Sequence, residues 1–216
     1  MQTISDMVIP GEAAADVGTD HGYIPAYLLT KEICPRVILT DIADGPLQRA
    51  EDLFERNDIA AEFRLGAGIE VLEPGEVSTV IIAGMGGETI MDILGKDLKK
   101  SHSYKRLILQ PRTFIGELRV WLSENGFRFT DYALCRERKL INEVMAVETG
   151  DSGEPENILF SRFLLDKGDP LLCEYLDRMI AIKENVIKQL GNSKEENGEM
   201  IERFKKEKEY LESIKK

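Results

Sequence analysis

The chain has 216 residues, of which 43% are hydrophobic and 31% charged, and this length suits one full core with a small appendage. No apolar run approaches the ~20 residues of a membrane span and no apolar leader opens the chain, so we expect a cytoplasmic protein with no membrane partner. The three cysteines, Cys34, Cys135 and Cys173, are far apart and odd in number, which argues against a disulfide framework and a metal site.

The net charge of −11 argues against a nucleic-acid partner, because proteins that bind polyanions usually carry a basic surface. One segment differs from this average, since residues 96–139 contain 11 Lys and Arg against 5 Asp and Glu. It includes Lys99, Lys100, Lys105 and Arg106, which we predict to contact substrate phosphates. Chance clustering of surface lysines is the alternative, and we weight the two equally.

Hydrophobic periodicity divides most of the chain into alternating strands and helices. Strands are predicted at residues 13–17, 36–41, 63–65, 79–83 and 106–111, and helices at 3–8, 24–31, 47–57, 89–94 and 114–125. Segments 127–134 and 141–148 follow with no helix between them, which predicts an antiparallel β-hairpin at one end of the sheet. Five βα units and a closing hairpin are the α/β arrangement of class I methyltransferases, with a Rossmann-like sheet.

Two long amphipathic stretches end the chain, at residues 171–190 and 200–214, with a polar, glycine-containing break between them. Their apolar stripes predict two antiparallel helices, similar to a short coiled coil. We therefore expect two domains, a Rossmann-like domain at residues 1–152 and a C-terminal α-helical hairpin at residues 153–216.

The first predicted strand ends in an acidic turn with two glycines. The turn contains Asp16, Gly18, Thr19, Asp20, His21 and Gly22, with the spacing Asp-x-Gly-x-x-x-Gly instead of the Gly-x-Gly-x-x-Gly of dinucleotide folds. Adjacent carboxylates disfavour a pyrophosphate and favour a cation. S-adenosyl-L-methionine carries a sulfonium and an ammonium group, so the turn suits this cofactor. A plain strand-to-helix turn is the alternative.

The second strand ends in Asp41, which lies 25 residues after Asp16. This is close to the interval at which βαβ nucleotide folds place a carboxylate on the ribose hydroxyls. We predict that Asp41 binds the cofactor ribose. The further residues predicted to contact the cofactor are Ile42, Gly66, Ala67, Gly68, Ala83 and Gly84.

The fourth strand, residues 79–83, ends in a loop with three glycines in four residues. The loop reads Gly84-Met85-Gly86-Gly87-Glu88. An open α/β sheet presents its ligands at the carboxyl ends of central strands, so we predict that this loop forms the catalytic edge and admits a flat base. A tight connection into the next helix is the alternative.

Several motifs together resemble the bacterial tRNA adenine-22 N1-methyltransferases. They are Asp-Val-Gly-Thr-Asp-His-Gly-Tyr-Ile-Pro at 16–25, Asp41 with Gly45-Pro46-Leu47, Ile-Ala-Gly-Met-Gly-Gly at 82–87, Leu-Ile-Leu-Gln-Pro at 107–111, and Trp121-Leu122 with Asn125-Gly126-Phe127. The resemblance covers essentially the whole chain. It implies a Rossmann-like domain that binds S-adenosyl-L-methionine, a helical appendage that helps to hold tRNA, and methyl transfer to N1 of an adenine.

Four positions depart from what this resemblance implies. Ala67 stands where an aspartate that hydrogen-bonds the cofactor adenine is expected, and Ala43 replaces an expected asparagine. Arg112 stands where asparagine is common, and Asn142 where a tyrosine is usual. Loss of one hydrogen-bonding carboxylate weakens binding by about 1–3 kcal/mol unless water or a backbone amide replaces it.

N1 of adenine has a free lone pair at neutral pH, so methyl transfer requires positioning more than a base, and alignment can supply ~7–11 kcal/mol. Asp20 and Glu88 are candidates to assist proton loss from the methylated product. His21 is a candidate base, or it orients the turn. Tyr23 either stacks on a base or packs internally.

Two residues after the fifth strand complete the predicted substrate site, Gln110 for a base edge and Arg112 for a phosphate. Two alternative functions stay open at this stage. One is a methyltransferase for another RNA or a small molecule, and the other is a non-catalytic cofactor-binding interaction module. The oligomeric state also stays open, as monomer or weak dimer.

Overall fold

The computed structural model describes residues 1–151, 159–192 and 197–215. Its helices are α1 (Gln2–Met7), α2 (Tyr23–Thr30), α3 (Asp44–Arg56), α4 (Gly87–Gly95), α5 (Leu98–Ser101), α6 (Ile115–Glu124), α7 (Arg162–Lys167), α8 (Leu172–Gly191) and α9 (Gly198–Ile214). Its strands are β1 (Ala14–Val17), β2 (Val37–Asp41), β3 (Glu62–Leu65), β4 (Thr79–Ala83), β5 (Arg106–Gln110), β6 (Phe127–Glu137) and β7 (Leu140–Thr149).

The strands form one seven-stranded sheet in the order β3-β2-β1-β4-β5-β7-β6. Strands β1 to β5 pair in parallel, whereas β7 is antiparallel to both β5 and β6. The sequence-based prediction of a Rossmann-like α/β methyltransferase sheet closed by a hairpin is therefore confirmed. The order reverses between β1 and β4, and this is the point where open α/β sheets place their ligands.

The core explains why the central strands lack alternation. Residues Val80, Ile81 and Ile82 of β4 are 0% exposed, because helices cover both faces of a parallel sheet. Helix α3 buries Leu47, Ala50 and Phe54 at helical spacing, and this stripe packs against Leu39 of β2.

Local signals account for the main differences from the predicted elements. Helix α3 begins at Asp44, three residues before the predicted start, and Asp44 lies in its first turn instead of capping it. Helix α5 was not predicted, although the Asp97 side chain accepts a hydrogen bond from the Lys100 amide as a helix cap does. Helix α7, at Arg162–Lys167, was not predicted either.

The chain divides into two compact units, Met1–Phe163 and Leu164–Lys216. The predicted boundary between residues 152 and 153 lies outside the described residues. In the second unit α8 and α9 pack against each other. Their ion pairs join Lys183 to Glu207 at 2.5 Å, Lys208 to Glu184 at 2.9 Å, and Lys215 to Asp177.

Strand β3 lies at one edge of the sheet and carries an ionic network. Arg64 lies 2.6 Å from both Glu62 and Glu76, and Arg36 pairs with the same two glutamates at 2.6 and 3.0 Å. The two guanidinium groups hold the pKa of the Glu76 carboxyl well below its usual value, with Arg64 the larger cause.

A second ionic network is fully buried between α6 and the β-hairpin. Arg119 is 1% exposed and lies 2.6 Å from Glu143, which is 2% exposed. The Tyr132 hydroxyl contacts both partners, donating to the carboxylate and accepting from the guanidinium at 3.0 Å. Burial, together with the Glu143 charge, raises the pKa of Tyr132 well above its usual value. The three side chains tie α6, β6 and β7 together.

Candidate active site

A cavity of about 640 Å³ opens at the carboxyl ends of the parallel strands. The loops after β1, β2, β3 and β4 and the inner face of α4 and α5 form its wall. The lining residues are Val17, Gly18, Asp41, Ile42, Ala67, Gly68, Ile69, Glu70, Met85, Thr89, Asp92, Ile93, Lys96, Asp97 and Lys100. Each of these four loops therefore contributes to the cavity at least one residue that the sequence predicted to belong to the site.

Asp41 and Ile42 provide one polar and one apolar element of the cavity wall. One Asp41 carboxylate oxygen accepts a hydrogen bond from the Ala43 amide at 2.8 Å, which fixes the side chain and leaves the second oxygen available for a ligand. The Ile42 side chain is 74% exposed, which is unusual for an isoleucine beside a cavity. Together they suit a ribose diol next to an aromatic base.

The glycine turn after β1 and the glycine loop after β4 are in contact at the cavity, because β1 and β4 are neighbouring strands. Gly18 has a left-handed backbone (φ +78°), and a Cβ there would overlap the Met85 methyl group. Met85 therefore packs directly on Gly18, and both residues line the cavity. The fold thus brings the two predicted motifs together at the cavity.

Asp16 is buried beneath this turn, at 7% exposure. Burial raises the pKa of its carboxyl to about 6, the Thr19 hydroxyl opposes this shift, and the nearby Asp41 charge adds to it. The Thr19 hydroxyl is close enough to influence Asp16 but does not meet ordinary hydrogen-bond geometry. A buried carboxylate of this kind favours a cation nearby.

Two buried polar atoms lack hydrogen-bond partners on either side of the glycine loop. They are the Thr19 hydroxyl oxygen, just after β1, and the Gln110 amide nitrogen, at the end of β5. Because β4 lies between β1 and β5, these atoms flank Gly84 from both sides. Buried polar groups are usually paired, so two unpaired ones beside the glycine loop indicate a ligand site there.

Residues after β5 hold the glycine loop in place. The Arg112 amide donates to the Met85 carbonyl and the Gly87 amide to the Thr113 carbonyl, both at 2.8 Å. Gly87 is buried, and a Cβ there would lie 2.7 Å from the Thr113 carbonyl oxygen and 2.5 Å from that of Phe114. Packing therefore requires a glycine at position 87, and the catalytic role predicted for Gly87 stays a prediction.

We expect Gly87→Ala to lower the free energy of unfolding by about 1–3 kcal/mol, since two backbone carbonyls must move to admit the methyl group. Urea unfolding measures this change. Gly45→Ala is the matched control, because Gly45 is helical and its Cβ would meet only the end of the Arg49 side chain, at 3.9 Å. Equal stability of the two variants would contradict this packing role.

Several predicted residues lie outside the cavity. Asp20 pairs with Arg49 of α3 and lies 3.3 Å from His21, and Tyr23 is 55% exposed beside the His21 ring. Glu88 is exposed in the first turn of α4. A smaller cleft, outside the main cavity, is lined by His21, Tyr23, Arg49, Asp52, Leu53 and Arg56.

The charge on Asp20 is already compensated, since Arg49 and His21 hold the pKa of its carboxyl below the usual value, with Arg49 the larger cause.

Packing explains why Gly22 is a glycine, because a Cβ there would lie 2.9 Å from Phe54 of α3. Gly66 likewise lies against Val71, and its amide donates to the Asp41 carbonyl at 2.8 Å.

The four basic residues predicted as one phosphate-contacting group are not brought together. Arg106 begins β5, at the sheet edge opposite the cavity, and it pairs with Glu148 at 2.7 Å and donates to the Met7 carbonyl. Lys105 precedes it and pairs with Glu12 at 2.7 Å. Only Lys100 lines the cavity, and Lys99 is exposed on α5.

Arg112 lies at the cavity end of β5 but contacts protein carboxylate and amide groups. It pairs with Glu137 at 2.8 Å and donates to the Asn142 oxygen at 3.2 Å. Two residues that depart from the expected pattern, Arg112 and Asn142, thus contact each other. A tyrosine at 142 would remove this acceptor, so the two departures are structurally linked.

Sequence reasoning missed the contribution of α4 to the cavity. The residues Thr89, Asp92, Ile93 and Lys96 all line it. Their spacing of three, four and seven residues places them on one helix face, and this pattern was available in the sequence. Among residues 1–151, 159–192 and 197–215, no helix is long and apolar enough to span a bilayer, and no three His, Cys, Asp or Glu side chains group as metal ligands.

Known proteins place the chain among methyltransferases. It is 33% identical to the tRNA (adenine(22)-N(1))-methyltransferase of Bacillus subtilis (strain 168) over 153 residues, which are 70% of this chain and 64% of that relative. The aligned region thus spans less than two thirds of the relative's length. A 28% identical Mycoplasma pneumoniae protein, described as a candidate tRNA methyltransferase, aligns over 85% of the chain and 84% of its own length.

Two solved structures match this chain over its full length. A candidate tRNA (m1A22) methyltransferase from Streptococcus pneumoniae superposes with a TM-score of 0.90 at 27% identity, covering 100% of this chain and 97% of the other. The B. subtilis m1A22 tRNA methyltransferase superposes with a TM-score of 0.87 at 26% identity and the same coverage. The methyltransferase-domain family matches residues 1–145, which is more than half of the sequence. The chain therefore belongs to the methyltransferase-domain family.

Proposed function

We propose that this methyltransferase uses S-adenosyl-L-methionine to methylate N1 of an adenine in tRNA, at position 22. The observation that carries the proposal is the cavity wall, which brings Asp41, Gly18 and Met85 together next to the unpaired polar atoms of Thr19 and Gln110. The B. subtilis relative carries this activity in its name, and the S. pneumoniae structure that is 25% identical is a complex with S-adenosyl-L-methionine.

The cavity residues fit this cofactor. Asp41 would hold the ribose hydroxyls, and Ile42 and Ile93 would contact the adenine on the apolar side of the cavity. Ala67 offers no side-chain hydrogen bond, so recognition of the adenine edge falls to backbone groups and to other cavity residues. S-adenosyl-L-methionine supplies an electrophilic methyl group on a sulfonium.

Buried Asp16 and unpaired Thr19 lie at the turn next to Gly18, where they favour the cationic end of the cofactor. The glycine loop, with Met85 as its one large side chain, leaves space for a purine in front of β4. N1 of adenine needs no prior deprotonation, so the protein has mainly to align the base with the methyl group and exclude water. Turning the base into the site costs a few kcal/mol.

The tRNA backbone requires cationic contacts, and the described charges restrict where they lie. Lys96 and Lys100 line the cavity and both contact Glu70, whereas Lys99 is exposed on α5. The C-terminal helices carry further lysines, among them Lys205, which pairs with Glu202. We propose that α5 provides the phosphate contacts near the target adenine, and that the protein acts in the cytoplasm, where its substrate is found.

Incubation of the protein with unmodified tRNA and methyl-labelled cofactor tests the proposal. We expect label in tRNA, recovered after digestion as N1-methyladenosine. A matched tRNA with guanosine at position 22 is the control and should stay unlabelled. Label that appears at another position or in another nucleoside would reject the assignment, and absence of cofactor binding at millimolar protein and ligand would reject the enzyme altogether.

We expect Asp41→Ala to weaken cofactor binding at least tenfold, because two hydroxyl groups lose a charged acceptor. Isothermal titration with S-adenosyl-L-methionine measures the dissociation constant. Asp52→Ala on the outer side of α3 is the control, since Asp52 lines only the smaller cleft. An unchanged dissociation constant for Asp41→Ala would place the ribose elsewhere.

A further inference from the structure

We infer that Gln110 is a positioning residue for the target adenine, donating a hydrogen bond from its side-chain amide to a ring nitrogen of the base in front of Gly84. The inference rests on the proposed function and adds one named contact to it. It concerns the substrate and not the cofactor, because Gln110 does not line the 640 Å³ cavity.

The orientation of the Gln110 amide is fixed by its neighbour. The Gly84 N–H lies 3.0 Å from the Gln110 side-chain oxygen and 3.0 Å from its backbone oxygen. An N–H group can only donate, so the atom bonded to the Gly84 N–H is the amide oxygen, and the NH₂ group on the same carbon points in a different direction. Both donors of this NH₂ group lack a partner, although the residue is only 5% exposed.

An unused buried amide is costly, since each unsatisfied buried donor costs about 1–3 kcal/mol. A ligand that accepts a hydrogen bond from this amide would remove the cost, and the amide lies where a ligand can bind. Gln110 ends β5 beside the glycine loop, and apart from the chain neighbours of Gly84 nothing lies within 4 Å of the position that a Cβ on Gly84 would occupy. Open space above Gly84 next to an unsatisfied donor is complementary to a ligand that carries an acceptor.

The chemistry of adenine limits which acceptor this is. N1 must face the methyl group, and the exocyclic amino group is a donor. The remaining acceptors are the ring nitrogens N3 and N7. A contact to either nitrogen fixes rotation of the base in its own plane, which is the coordinate that aligns N1 with the methyl group.

Access to the amide requires a small movement, because its nitrogen is screened from solvent. The loop that borders it contains Gly84 and Gly86, and its one long side chain, Met85, is unbranched and rotates easily. The inference therefore requires that the bound base displaces the Met85 side chain, which packs on Gly18, and so exposes the donor.

The test uses the full-length protein with tRNA transcripts that carry adenosine, 3-deazaadenosine or 7-deazaadenosine at the target position. We expect one of the two analogues to lower kcat/KM of the wild type at least tenfold. The same analogue should lower kcat/KM of Gln110→Met less than twofold, because that variant has no donor to lose. The deaza ring also changes the reactivity of N1, but it does so equally for both proteins. The ratio of their losses in kcat/KM therefore reports only the contact with Gln110.

Loss of the same factor in both proteins, or no loss in the wild type with either analogue, would overturn the inference. Gln110→Glu keeps an acceptor for the Gly84 N–H without the donor, so it should also lose less than twofold on that analogue. Binding of S-adenosylhomocysteine within twofold of the wild type checks that both variants fold. Ser161→Ala removes a different unsatisfied buried group, the Ser161 hydroxyl, and should keep full activity. Failure of the wild type on unmodified tRNA would reject the proposed function itself, before any analogue is used.

Discussion

Replacement of Arg119 by methionine is expected to lower the free energy of unfolding by about 3–5 kcal/mol, the largest change that we predict for a single substitution. The substitution removes the guanidinium that lies 2.6 Å from the Glu143 carboxylate, and both residues are at most 2% exposed. A buried carboxylate that loses its cation must either stay charged at low dielectric or take up a proton.

Urea unfolding at neutral pH measures the effect, and two variants serve as controls. The double variant Arg119→Met/Glu143→Met should recover part of the loss, because it buries no lone charge. Arg128→Met, which removes a 55% exposed partner of Glu148, should change stability by about 1 kcal/mol or less. If the single and double variants were equally unstable, the ion pair would not be the cause.

The second large effect is expected at Asp16. Its carboxyl has a pKa of about 6 in the folded protein and 3.8 as a free group. Between these values the folded chain retains a proton that the unfolded chain releases. Stability therefore falls as the pH rises from about 4 to 6, and at neutral pH the cost is about 3 kcal/mol. Asp16→Asn cannot ionise, so it should be more stable than the wild type at pH 7.5 and no more stable at pH 3.5.

Thermal unfolding of both proteins at the two pH values checks this expectation, with Asp52→Asn on the exposed face of α3 as the control. A stability difference that does not change with pH would contradict it. Cofactor binding should show the opposite trend, because a cation favours the charged carboxylate. We expect the affinity of the wild type for S-adenosyl-L-methionine to rise as the pH increases through 6 and that of Asp16→Asn to vary much less.

The order of elements was predictable because it depends on local periodicity. The uninterrupted apolar residues of β4 indicate a strand covered on both faces, and the absence of a helix between β6 and β7 indicates a hairpin. Asp41 at the end of β2 could be located by its interval from Asp16, and the structure places both near one cavity.

The missing part of the prediction depends on pairs that are distant in sequence. Lys105 and Glu12 are 93 residues apart, so no local pattern shows that this lysine already has a partner. The same holds for Asp20 and Arg49, whose pairing draws a predicted catalytic acid away from the cavity. Gly87 was interpreted by type alone, because its close contact with the carbonyls of Thr113 and Phe114 exists only in the folded chain.

Strand β3 is short and outermost, and its unpaired backbone groups could serve as a template for a strand of a second molecule. The guanidinium and carboxylate groups of Arg36, Glu62, Arg64 and Glu76 surround this strand. A foreign strand would have to displace or desolvate these charges before it paired. The network thus opposes intermolecular β-pairing at the β3 edge, one of the two edges of this sheet.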